Sequence, residues 1–107
     1  MIEVDKYPNT RKGFHTFYVG RPNPLGNPFE MRENCKHTQA ERDRVCDLYD
    51  EYFLKEIKKE DSKLRKAVIS LYRVAKEGKN ILLLCHCHPK RCHAETIRRF
   101  LEKQLEK

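Results

Sequence analysis

Between Cys85 and His93 the chain reads CHCHPKRCH, which gathers three of its five cysteines and three of its five histidines into nine positions. Thiolate and imidazole together are zinc chemistry. A thiol at a helix start is a potential nucleophile, and a small soft side chain at a strand end is also good packing. Zinc would draw on Cys85, Cys87, Cys92 and His93. The spacing C-x-C-x4-C-H is cramped for it, because structural zinc sites usually join two separated pairs of ligands and this one would brace only its own loop.

Cys85 and Arg91 have the C-x5-R separation of a phosphate-binding cysteine loop, but the intervening HCHPK has none of the glycines that let backbone amides wrap an anion. The architectural alternative places Cys85 on the same side of a strand as Ile81 and Leu83, as a small buried group, with Pro89 shaping the turn that follows. Glu95 stands two residues beyond His93. Either it complements the positive end of a helix, or it is a carboxylate aimed into a cleft, able to act as base, nucleophile or cation stabiliser.

A second candidate stretch is GRPNPLGNPF, residues 20–29. Gly20 and Gly26 permit positive φ or close approach of a ligand to the backbone, and the three prolines stiffen the loop. Arg21 offers a planar fork matched to phosphate or carboxylate. Asn27 is suited to an amide, a sugar hydroxyl or a base edge, and Phe29 to stacking. The plainer alternative is a rigid turn with a buried phenylalanine and an arginine in a surface ion pair.

These residues need elements to hold them. A chain of 107 residues forms one small domain with a single modest core. Short strands are expected over residues 2–5 (IEVD) and 14–19 (FHTFYV), followed by an irregular stretch from Gly20 to His37 that holds three of the five prolines. Thr38 and Glu41 have capping-box spacing ahead of a helix carrying Val45, Leu48, Tyr49, Tyr52, Phe53 and Ile57. A second helix presents Leu64, Ala67, Val68, Leu71, Tyr72 and Ala75 and stops at Gly78. ILLLC, residues 81–85, reads as a buried central strand. The last helix begins near Cys92 and buries Ala94, Ile97, Leu101 and Leu105. The order β-β-α-α-β-α predicts an α/β domain: about three strands packed with three helices in a Rossmann-like sandwich. Ligands in such sheets collect at the carboxyl ends of the strands. If FHTFYV and ILLLC run parallel, both unusual loops leave one edge and build a site together.

Composition narrows the partners. The chain is 38% hydrophobic and 36% charged, with a formal net charge of +7. An anionic partner such as a nucleotide or nucleic acid is one reading, and a lysine-rich solvated face is the other. No apolar run approaches the roughly 20 residues that span a bilayer, and MIEVDKYPNT lacks the apolar stretch of a secretory signal. The expectation is a cytoplasmic protein with reduced thiols, no membrane association and no disulfide framework.

YVGRPNPLGNPF (18–29), Arg42 leading into YDEYF (49–53), and CHCHPKRCHAE (85–95) together resemble the family catalogued as domain of unknown function 4326, over roughly residues 14–101. The chain departs from that pattern in having no tryptophan, with Tyr52 and His86 where the family often has one. The resemblance adds Arg42 to the expected ligand set, alongside Gly20, Arg21, Gly26, Asn27, Phe29, Cys85 and Cys92. Glu95 and His93 are the expected catalytic pair, without a cofactor. The function expected is an enzyme on a nucleotide or nucleic acid, cleaving an N-glycosidic bond as a DNA glycosylase or nucleoside hydrolase does, through one carboxylate that stabilises an oxocarbenium-like centre. The alternatives are a small zinc-binding interaction module and a nucleotide-sequestering protein without turnover.

Overall fold

ILLLC is apolar at every position because it is covered on both faces, and it becomes the middle of the sheet. In the computed structural model, which describes residues 1–35, 38–87 and 90–107, the elements are β1 (Ile2–Lys6), β2 (Phe14–Tyr18), α1 (Gln39–Ile57), α2 (Lys63–Lys76), β3 (Asn80–Cys85) and α3 (Ala94–Leu105), with a 3-10 turn at Glu33–Cys35. The strand order is β1-β3-β2. Both outer strands run parallel to β3, in registers that pair Ile2 with Ile81 and Phe14 with Asn80. The α/β expectation of three strands and three helices is met.

Alternation along β3 divides its side chains between two environments. Ile81, Leu83 and Cys85 join Ile2 and Val4 of β1 in one cluster with Leu64, Val68 and Leu71 of α2 and Ile97 and Leu101 of α3. Leu82 and Leu84 point the other way and are buried too. Their register neighbours Glu3 and Asp5 are both held by Arg11, whose Nη2 stands 3.1 Å from Asp5 Oδ2. Arg11 lies in the strap of residues 7–13 that carries the chain from the end of β1 back to the start of β2. This is where the architecture departs from the Rossmann-like sandwich: no helix links β1 to β2, and a strap pinned by an arginine does so instead.

The helix ends follow side-chain chemistry. Thr38 Oγ1 accepts from the Glu41 amide at 3.2 Å, which is half of the expected capping box. The other half is absent, because Glu41 turns inward to two arginines and the Thr38 amide donates to the Cys35 carbonyl instead. Ser62 caps α2 through the Arg65 amide. Gly78, at φ 88°, ends the same helix, donating its N–H to the Ala75 carbonyl at 3.0 Å. α3 starts at Ala94, two residues later than expected, with His93 as N-cap. Its Leu105 is 38% exposed at the frayed end, not buried as its spacing suggested. Among the described residues, no helix is long and apolar enough to cross a membrane.

Candidate functional site: an electropositive cleft at the strand ends

Because β2 and β3 are parallel, the loops that follow them leave the same edge of the sheet. They enclose a cleft of about 660 Å³, with α1 as a third wall, within the size range of small-molecule sites. Arg21, from the first loop, and His93, from the second, line it together. So do Gly20, Asn27, Phe29, Arg42 and Cys92 of the expected ligand set, and Cys87 of the zinc alternative.

The first loop is held by hydrogen bonds from within the protein. Tyr49, fully buried on α1, donates its hydroxyl to the Leu25 carbonyl at 2.8 Å, and burial pushes its phenol well above the usual range. Asn27 is spent on structure at both ends of its amide: Nδ2 donates to the Val45 carbonyl at 3.1 Å and Oδ1 accepts from the Phe29 amide at 2.9 Å. Asn27 thereby tethers loop to helix while it lines the cleft. The glycines also serve the fold. Neither Gly20 nor Gly26 has positive φ, a conformation found at Gly13 and Gly78. A methyl at Gly20 would stand 2.3 Å from the Tyr18 hydroxyl, and one at Gly26 would stand 2.8 Å from the Arg21 amide nitrogen. The close approach they permit is that of the protein to itself. Phe29 lines the cleft and meets Tyr52 edge to face, with centroids 6.0 Å apart. Arg21 sits at the rim, more than half exposed, and pairs with Glu30 at 3.1 Å.

The second loop forms the floor. Cys85 and Cys92 are buried with their sulfurs 2.8 Å apart. The neighbouring thiol and then burial hold Cys92 far above the usual thiol range, so it is a poor nucleophile. His93 is buried, with Nε2 donating to the Val19 carbonyl at 2.5 Å and its ring edge-on to Tyr49. Burial lowers its pKa from 6.5, against the bond to the Val19 carbonyl, which favours the charged form, and the charge of Arg21 adds to the lowering. The described residues do not fit the zinc alternative. Two thiolates around one zinc stand about 3.8 Å apart, a full ångström further than Cys85 and Cys92 stand here, and no three His, Cys, Asp or Glu side chains converge on a point among the described residues. The phosphate-loop reading fails on Arg91, which ion-pairs with Asp43, Asp47 and Asp50 of α1 at 3.2, 2.8 and 3.6 Å. Pro89, expected to shape this turn, lies outside the described residues.

Lys6, Arg21, Arg42, Lys90 and Arg91 all line the cleft, and no Asp or Glu is among its described lining residues. Arg21 and Arg91 have carboxylate partners. Arg42 does not: it is 6% exposed, and no described residue gives its guanidinium a hydrogen bond or ion pair. Glu41, one position earlier, shows the usual arrangement. It is buried with Arg44 and Arg32 against both oxygens, and their bonds hold its carboxyl far below the ordinary range. Glu95 is outside the cleft lining, in the first turn of α3 with Arg98 at 3.7 Å. Cys85 and Gly26 are buried and are not among the lining residues. Lys6, Tyr18, His86 and Lys90 line the cleft without having been singled out as ligand-binding. Lys6 ends β1, Tyr18 ends β2 and His86 follows β3, so the strand-end rule, applied to all three strands, finds three of the four.

Fold and cleft define a small α/β domain with an electropositive hollow at the carboxyl ends of three parallel strands. Residues 2–103 match the model for the family described as Domain of unknown function (DUF4326), and the chain belongs to that family. No curated protein and no solved structure matches the chain.

Proposed function

We propose that the cleft binds a small anionic ligand, a phosphate ester or carboxylate of the nucleotide class, with Arg42 as its principal counter-charge. One observation carries this reading: an arginine 6% exposed as a residue, lining a cleft, with no hydrogen bond or ion pair from its guanidinium to a described residue. Burying a charge without a partner is costly, and a ligand anion supplies the missing partner through paired N–H donors. Lys6 and Lys90 add to the same potential, and the amide end of α3 lies at the floor. Cleavage of an N-glycosidic bond would need a carboxylate at this place. With Glu95 beside Arg98 and no Asp or Glu among the described lining residues, binding without turnover is the better supported form of the proposal.

Calorimetric titration with ribose 5-phosphate tests it. The native chain takes up one equivalent, with affinity falling as salt rises, and Arg42→Met abolishes uptake. Equal binding by the two proteins overturns the proposal, and so does no binding by either. Release of free base from a nucleoside or nucleotide overturns the view that the site only binds.

A further inference from the structure

One aromatic ring stands at the carboxyl end of each strand: Tyr7 after β1, Tyr18 ending β2 and His86 after β3. They form a closed triangle. The centroid separations are 5.0 Å for Tyr7–Tyr18, 5.2 Å for Tyr7–His86 and 5.6 Å for Tyr18–His86, with tilted or edge-to-face geometry throughout. Parallel pairing places the triangle there, because three strands ending at one edge bring their next residues together.

Position alone does not make a binding surface, but three further features do. Tyr18 is fixed: its hydroxyl donates to the Arg21 carbonyl at 3.1 Å and lies over Gly20, where a side chain would collide with it. The cluster is open to solvent, with Tyr7 45% exposed and His86 exposed. Tyr18 and His86 also line the same cleft as Arg42, with Lys6 and Lys90 beside them. A hydrophobic core would have swallowed these rings; here Tyr18 and His86 form part of the wall of a charged hollow, with Tyr7 packed against both.

From this we infer that the Tyr7–Tyr18–His86 cluster is a stacking platform for a nucleobase, so that the ligand of the anion-binding cleft is a nucleoside phosphate. The phosphate goes to Arg42 and the base lies against the rings of Tyr18 and His86. The inference rests on the anion-binding reading above and adds the chemical class of the other end of the ligand. Every nucleobase has a π-face, so stacking of this kind selects for a planar base over a bare sugar while tolerating different bases. A free nucleotide and the end of a single strand present the same base and phosphate.

The test compares ribose 5-phosphate, adenosine 5′-monophosphate and a ten-residue oligothymidylate by calorimetry on the full chain. The native protein is expected to bind the nucleotide about 5- to 150-fold more tightly than the sugar phosphate, the span of one stacked base. His86→Ala, on an exposed side chain, removes that preference, so that the nucleotide loses at least about 5-fold more affinity than ribose 5-phosphate does. Tyr18→Phe retains it, because the ring stays. Tighter binding of the oligomer per site than of the nucleotide identifies a strand end as the source; the reverse identifies a free nucleotide. If the native chain binds nucleotide and sugar phosphate equally and Arg42→Met abolishes both, the platform is refuted and the anion site stands. A preference that survives both His86→Ala and Tyr18→Leu also refutes the platform. If neither ligand binds, the anion-binding reading itself fails.

Discussion

Arg42→Met should raise the stability of the empty protein while destroying its ligand response. Methionine matches the length of the arginine stem and needs no counter-charge. A buried ion costs several kcal/mol even after its surroundings relax. Arg42 is 6% exposed and opens on a cleft, so we take the low end, a gain of about 1–2 kcal/mol. For a chain of 107 residues, each kcal/mol moves the melting temperature by about 4 °C. The variant should therefore melt roughly 4–8 °C above native in Tris–chloride without phosphate. Adenosine 5′-monophosphate at a hundred times its Kd stabilises the native fold by about 2.7 kcal/mol, or roughly 11 °C, and leaves the variant unmoved. The order of melting thus inverts on adding ligand. Differential scanning calorimetry, with and without nucleotide, measures all four values. A variant melting several degrees below native in ligand-free buffer would show that Arg42 holds the fold together, and the reasoning from an unpaired charge would be wrong.

The remaining expectations concern the walls of the cleft. Tyr49→Phe strands the buried Leu25 carbonyl, at a cost of about 1–3 kcal/mol, and should weaken ligand binding as the first loop loosens; an unchanged melting temperature would show the bond contributes nothing. Imidazole shifts in NMR should place the midpoint of His93 below 6.5. The unfolded chain then takes that proton first, so this residue costs stability as pH falls below 6.5; a midpoint at or above 6.5 contradicts the burial argument. The depressed carboxyl of Glu41 works at lower pH: its contribution is complete above 4.5, its ordinary value, and drains away as pH falls further. Urea midpoints of Glu41→Gln should accordingly fall less between pH 5 and 3 than those of native protein. Treatment with a zinc chelator should leave the far-ultraviolet spectrum and melting temperature unchanged; unfolding would restore the zinc loop.

Much of the fold is legible because it depends on local patterns. A continuous apolar run cannot sit at an edge, so ILLLC had to be central; helical spacing in VISLYRVA and a glycine after it bound α2 without reference to anything distant. Parallel pairing of β2 and β3 was a condition in the sequence and became a fact in the structure, and the shared edge of the two loops follows from it. The strap of residues 7–13 was not legible. Nothing in YPNTRKG announces that Arg11 will reach back to Glu3 and Asp5, since ion pairs between exposed side chains leave no periodic trace.

The site divides along the same line. Sequence by itself marked out the two stretches that come to line one cleft, because proline, glycine, cysteine and histidine in such density restrict backbone and chemistry wherever they fall. It could not apportion roles within them. Asn27 and Gly26 have types suited to ligand contact and are consumed by the loop's own packing; Arg91 has the spacing of a phosphate arginine and is held by three aspartates one helix away. Those outcomes depend on which groups lie within about 3 Å, a distance fixed by the docking of α1 against both loops. Only the tertiary structure decided that Glu41 is paired with two arginines while Arg42, its neighbour in the chain, faces the cleft with no partner for its guanidinium among the described residues. Successive residues on a helix point about 100° apart, so one carboxylate meets two arginines and the next side chain meets the cleft wall.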